Sequence, residues 1–168
     1  MKTKVTQSIL LCLMAIMSFS NVLLAQESKE KLEKPKSSGV AEVDAFVNKS
    51  FDAYDESFKI TDAANLIKVD KETNTIKAAD GTDLAKDKAL FQFGELLVRA
   101  KKQNDNIQAI QDMQKSATES VKKCPITKKP AATKNLSKGG EALNEVVGET
   151  KKQIELIDKQ ITDIKAMP

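Results

Sequence analysis

One cysteine stands among lysines in the second half of this chain: Lys122 and Lys123 precede Cys124, and Lys128, Lys129, Lys134 and Lys138 follow with no acid among them. Neighbouring positive charge lowers a thiol's pKa and raises its reactivity. Enzymatic thiol chemistry also needs a base or a resolving thiol, and the chain has no histidine and only one other cysteine, Cys12. The chemistry open to Cys124 is therefore an intermolecular disulfide.

The six lysines form a candidate anion or partner loop, because clustered charge raises encounter rate and gives salt-sensitive affinity for phosphate-rich polymers or anionic membranes. No aromatic lies among them for base stacking and no arginine for bidentate phosphate contacts, which argues against nucleic acid.

The lack of histidine removes the commonest general base and the usual zinc and haem ligand. Neither a G-x-S-x-G nor a phosphate-binding glycine loop occurs. Asp70, Glu72 and Asn74 have the alternate spacing of calcium ligands, but Thr75 stands where the loop needs glycine and Gly81 where it needs a bidentate acid. We therefore expect no catalytic residue, metal or cofactor.

The elements that would carry these residues are helical. Lys2 and Lys4 precede an uncharged run from Val5 to Gln26 that contains Ala25, the pattern of a secretory signal peptide over residues 1–25. The alternative is an uncleaved anchor, the one case in which a membrane is expected as partner. Without those two lysines the remaining 25 Lys+Arg nearly balance 24 Asp+Glu. Residues 26–38 alternate acids and lysines with little apolar content and read as a flexible tether, leaving 39–168 as one domain.

Val40, Val43, Val47, Phe51, Tyr54 and Phe58 recur at helical spacing, predicting a first helix over about 40–61 with Ser37 or Ser38 as N-cap. Residues 62–82 hold a small hairpin or a long loop, with strands at 67–70 and 75–78. A second helix is expected from near Asp83, capped by Asp80 or Thr82, to about 123; it breaks into two if Gln103–Asn106 compete with the backbone. Pro125 and Pro130 predict that 122–138 is an irregular basic loop. A last helix follows Ser137.

That last helix carries an apolar seam, Leu143, Val147, Ile154, Ile157, Ile161 and Ile164, which with the small Thr150 between Val147 and Ile154 runs in steps of three and four. Folding it back around the loop puts Val121 level with Gly140 and Ile107 with Ile154. The fold class expected is an all-α elongated antiparallel bundle of three long helices, four if the second breaks near Asn104–Asn106. The seam is the candidate interaction surface, toward an unknown protein partner or a second copy in a homo-oligomer.

The functional expectation is an exported, non-enzymatic structural or protein-interaction module of the cell envelope or extracellular space. One alternative is a periplasmic holdase. The other is a small-molecule bundle using Phe51, Tyr54, Phe58, Phe91 and Phe93, gathered at one aromatic end.

Overall fold

A computed structural model describes residues 31–168; the leader and residues 26–30 of the expected tether lie outside them. Three helices pack together: α1 (Ala41–Asn65), α2 (Lys86–Lys123) and α3 (Lys129–Ala166). Between α1 and α2 lies a hairpin of β1 (Lys68–Asp70) and β2 (Thr75–Lys77), paired antiparallel with Val69 opposite Ile76. The all-α bundle expected from the pattern is the fold observed.

The first end of α1 meets the last turns of α2 and the first turns of α3, through Val43, Phe46, Val47, Ile110, Ala117, Val121, Ala132, Ala142 and Val146. Its other end, at Ile60 and Ala64, packs with Ala89, Phe93, Leu96, Ala100, Ile157 and Ile164. Thus α1 runs antiparallel to α2 and parallel to α3, and spans both halves of the long pair. The hairpin makes this placement possible. A two-stranded ribbon is marginal alone, but Ile76 is buried and Val69 and Ile67 pack against the second cluster.

Between the two apolar clusters lies a polar layer. Gln153 of α3 donates from Nε2 to the Ser57 carbonyl and Thr61 Oγ1 of α1, both at 2.7 Å. Gln103 of α2 donates from Nε2 to Thr150 Oγ1 of α3 at 2.9 Å. The two amide nitrogens are thus paired, whereas Gln103 Oε1 and Gln153 Oε1 are buried without a hydrogen-bond partner among the described residues; each buried polar group left unpaired costs about 1–3 kcal/mol.

The second helix is continuous, the three-helix form of the expected bundle, with Gln103 turned into the core and bonded to Thr150. Other expectations about it are corrected. It begins at Lys86, not Asp83: the Leu84 N–H already pairs with the Ile76 carbonyl and Asp83 bridges Lys77, so both belong to the hairpin. Asp80 instead holds Thr82 in a local turn.

The irregular region expected over 122–138 shrinks to Cys124–Lys128. Pro130 sits in the first turn of α3, where its missing N–H has no intrahelical partner to lose. Ser137 is therefore inside the helix. Shortening the loop moves the pairing of α2 and α3 by two turns, so that Gly140 lies against Gln114 rather than Val121.

The expected tether is also corrected over the described residues. Residues 31–38 have no regular secondary structure but lie as a strap along α1. Lys31 and Lys34 pair with Asp55 and Asp52 at 2.7 and 3.8 Å, Leu32 packs on the core beside Phe58, and its N–H donates to the Tyr54 hydroxyl. Asn135 Nδ2 donates to the Lys36 carbonyl at 2.6 Å. The acids of α1 thus attract the lysines of the strap, and one leucine supplies the anchor.

At the start of α1 neither Ser37 nor Ser38 caps in the expected way. The Asp44 carboxylate reaches back to accept from the Ser38 N–H at 2.7 Å, the Gly39 N–H at 3.1 Å and both serine hydroxyls. Gly39 takes a positive φ of 73° to present that N–H, a conformation strained for residues with a Cβ.

Candidate functional site

The seam of the last helix faces its own chain. Leu143, Ile157 and Ile164 are buried in the core, and Ile154 and Ile161 are half-buried against it. Val147 is 39% exposed. The true inner stripe runs Ala142, Val146, Thr150, Gln153, Ile157, so one glutamine belongs to it and Val147 does not. The candidate interaction seam is corrected to a core surface, since α1 covers it.

Nor do the aromatic residues gather. Phe51, Tyr54 and Phe58 stack edge-on among themselves, with ring centroids 6.0 and 4.8 Å apart, beneath the strap. Phe93 is buried in the other cluster and Phe91 is 65% exposed. The aromatic small-molecule site is therefore withdrawn: α1 slides along the pair so that Ile60 and Ala64, not its rings, meet the first turns of α2, while Phe51, Tyr54 and Phe58 lie with Ile107 and Ile110 farther along.

What stays open is the face between α1 and α2. Phe91 and Val98, two turns apart on α2, are 65% and 68% exposed, and Leu66 just beyond α1 is 55% exposed. Together with Ala63, Ile67 and Leu96 they line a groove of about 870 Å³. A second recess of about 490 Å³ continues it along the same two helices, lined by Lys49, Asp52, Glu56, Lys102 and Asn106.

Arg99 lines both recesses and bridges them to α1, donating from Nε and Nη2 to Glu56 Oε1 at 2.9 and 2.8 Å. Asp52 is paired with Lys34. Lys49 and Lys102 have no ion-pair partner among the described residues. The groove therefore grades from apolar at the hairpin end to cationic toward the middle. Sequence reasoning missed it because Phe91 and Val98 read as additions to a helical apolar face; only their spacing of seven, off the line of Phe93, Leu96 and Ala100, signals a second face.

The lysines of the expected loop are distributed over two helices and a tight turn. Lys122 pairs with Glu119, whose carboxyl is held below the usual range by that lysine, and Lys138 pairs with Glu141. Lys128 Nζ donates to the Gly39 carbonyl at 2.9 Å. Cys124 is half-buried against the core, and its Sγ lies 3.2 Å from the Val121 carbonyl. The bend that joins α2 to α3 thus turns the thiol inward.

Asp70 accepts from the Glu72 and Thr73 N–H groups and closes the hairpin turn, with Asn74 at φ 52°. Among the described residues no three acid or thiol side chains come together as a metal site, and no helix is long and apolar enough to cross a membrane. Compared with family models, curated proteins and solved structures, the chain shows no significant match.

Proposed function

We propose that this is an exported, non-enzymatic interaction module that takes an amphipathic helix of a partner protein into the groove between α1 and α2. The observation that carries the reading is the exposure of Leu66, Phe91 and Val98 around one groove. A furrow between two helices fits a third helix, whose anchors at i, i+3, i+4 and i+7 match apolar pockets. Lys49 and Lys102, which have no ion-pair partner among the described residues, select the partner's charge: its helix carries acids beyond the apolar anchors. Export rests on the leader pattern of residues 1–25.

The test uses the protein and a Phe91→Asp/Val98→Asp variant in parallel, both shown by circular dichroism to be folded. A partner helix retained by the first and lost with the second is expected. Equal retention overturns the reading, and retention of many unrelated unfolded chains overturns it in favour of a holdase.

A further inference from the structure

The opposite end of the bundle carries a second, different surface. Ile126, at the tip of the turn between α2 and α3, is 86% exposed, more than any other large apolar side chain among the described residues. Pro125 and Thr127 beside it are exposed too. A turn of five residues, Cys124–Lys128, is closed by the Lys128 N–H on the Pro125 carbonyl at 2.9 Å, so Ile126 is held at the apex by a fixed bend. It protrudes from the end of the molecule.

The residues around that apex are basic. Lys122 and Lys123 form the last turn of α2, Lys128 and Lys129 the entry to α3, and all four are exposed. Lys128 is positioned by the Gly39 carbonyl, which fixes its charge without neutralising it. Lys36 is brought to the same end by the Asn135 bond to its carbonyl. No acid occurs from Ser120 to Gly140. Of the acids on neighbouring elements, Glu119 is taken by Lys122 and Asp44 is turned onto Ser37, Ser38 and Gly39; Glu42 in the first turn of α1 remains exposed.

We propose that this end docks on an anionic lipid bilayer, with Ile126 entering the headgroup boundary and Lys123, Lys128 and Lys129 facing lipid phosphates. The combination decides the partner. A phosphate-rich polymer gains from the lysines but has nothing to offer an isoleucine at the apex, and this end has neither arginine nor aromatic side chain to read it. An anionic bilayer rewards both, since charge attracts the basic residues while the acyl boundary accepts the apolar one. The partner groove lies about 40 Å away along α2, so both surfaces are available together.

The full chain is sedimented with vesicles of phosphatidylcholine alone and of an equal mixture with phosphatidylglycerol, and the gain in partitioning on adding anionic lipid is read. The leader, with Lys2 and Lys4, contributes equally to the gain in every variant, so the comparison between variants cancels it. Ile126→Ser is expected to reduce the gain roughly tenfold, and Lys123→Gln or Lys129→Gln about fivefold each, while Phe91→Ser keeps it. All these side chains are exposed, and unchanged circular dichroism verifies the fold. An equal gain in every variant overturns the proposal, as does binding to a DNA oligonucleotide as strong as to anionic vesicles and indifferent to Ile126→Ser.

Discussion

Gly139 of α3 lies directly beneath the ring of Phe46 on α1: a Cβ at that position would stand 2.7 Å from Phe46 Cε1 and 3.2 Å from Val47 Cγ2. Phe46 is fully buried and cannot swing aside. Gly139→Ala gains up to about 1 kcal/mol of helix propensity, but overpacking costs about 1–3 kcal/mol, and here the overlap with a ring wins. A lower midpoint in denaturant titration is expected, recovered in part by Phe46→Leu in the same chain. A more stable Gly139→Ala protein contradicts the close approach.

The Gln103–Thr150 bond yields a double-mutant test. Thr150→Val alone strands the Gln103 amide in the core and is expected to cost about 1–3 kcal/mol. Gln103→Leu with Thr150→Val removes both partners and costs less than Thr150→Val alone. Strictly additive losses in a urea titration count against a direct bond.

Asp44 predicts an acid limb to stability. Partial burial alone raises its pKa, but the hydrogen bonds from Ser37, Ser38 and Gly39 outweigh this and hold it below the ordinary value. A folded pKa below the unfolded one means that the unfolded chain binds the proton first, so the contribution is complete above about pH 4 and is lost as pH falls through the folded value. Stability measured downward from pH 5 is expected to fall less steeply in Asp44→Asn than in the unmodified chain. At neutral pH, Asp44→Ala costs about 1 kcal/mol through loss of the helix start.

The strap is expected to open before the bundle does. Tyr54→Phe with Asn135→Ala removes the partners of Leu32 N–H and the Lys36 carbonyl. Hydrogen exchange or protease cutting over 31–38 should accelerate while the main unfolding midpoint moves little, the sign of a local unit of low stability. An unchanged rate at the strap shows that the lysine pairs and Leu32 hold it unaided.

The helices were legible where one apolar face repeats without interruption, as from Val40 to Phe58 and from Leu143 to Ile164. Pro130 misled because a proline stops a helix interior but opens a helix, and one sequence does not say which position it holds. Asp83 and Leu84 misled because their backbone groups are claimed by strand residues Lys77 and Ile76 earlier in the chain, a tertiary fact. The strap was illegible from composition, since its docking depends on acids one helix away. The groove escaped for a related reason: Phe91 is as apolar as Phe93, and only the placement of α1 decides which is covered.

The polar layer between the two apolar clusters has a consequence for which sliding position the long helices choose. Leucine and isoleucine contacts are nearly interchangeable from one heptad to the next, so apolar residues alone leave α3 free to slip along α2; the apolar pattern by itself indeed suggests a pairing two turns away from the one observed. A slip of seven residues brings either Ile157 or Leu143 to the place of Thr150, and in both cases the Gln103 amide faces a hydrocarbon with its hydrogens unspent. The layer therefore works as a notch: it adds little to the strength of the closed bundle, yet it makes every neighbouring setting of the helices more costly than the one in which Gln103 finds Thr150.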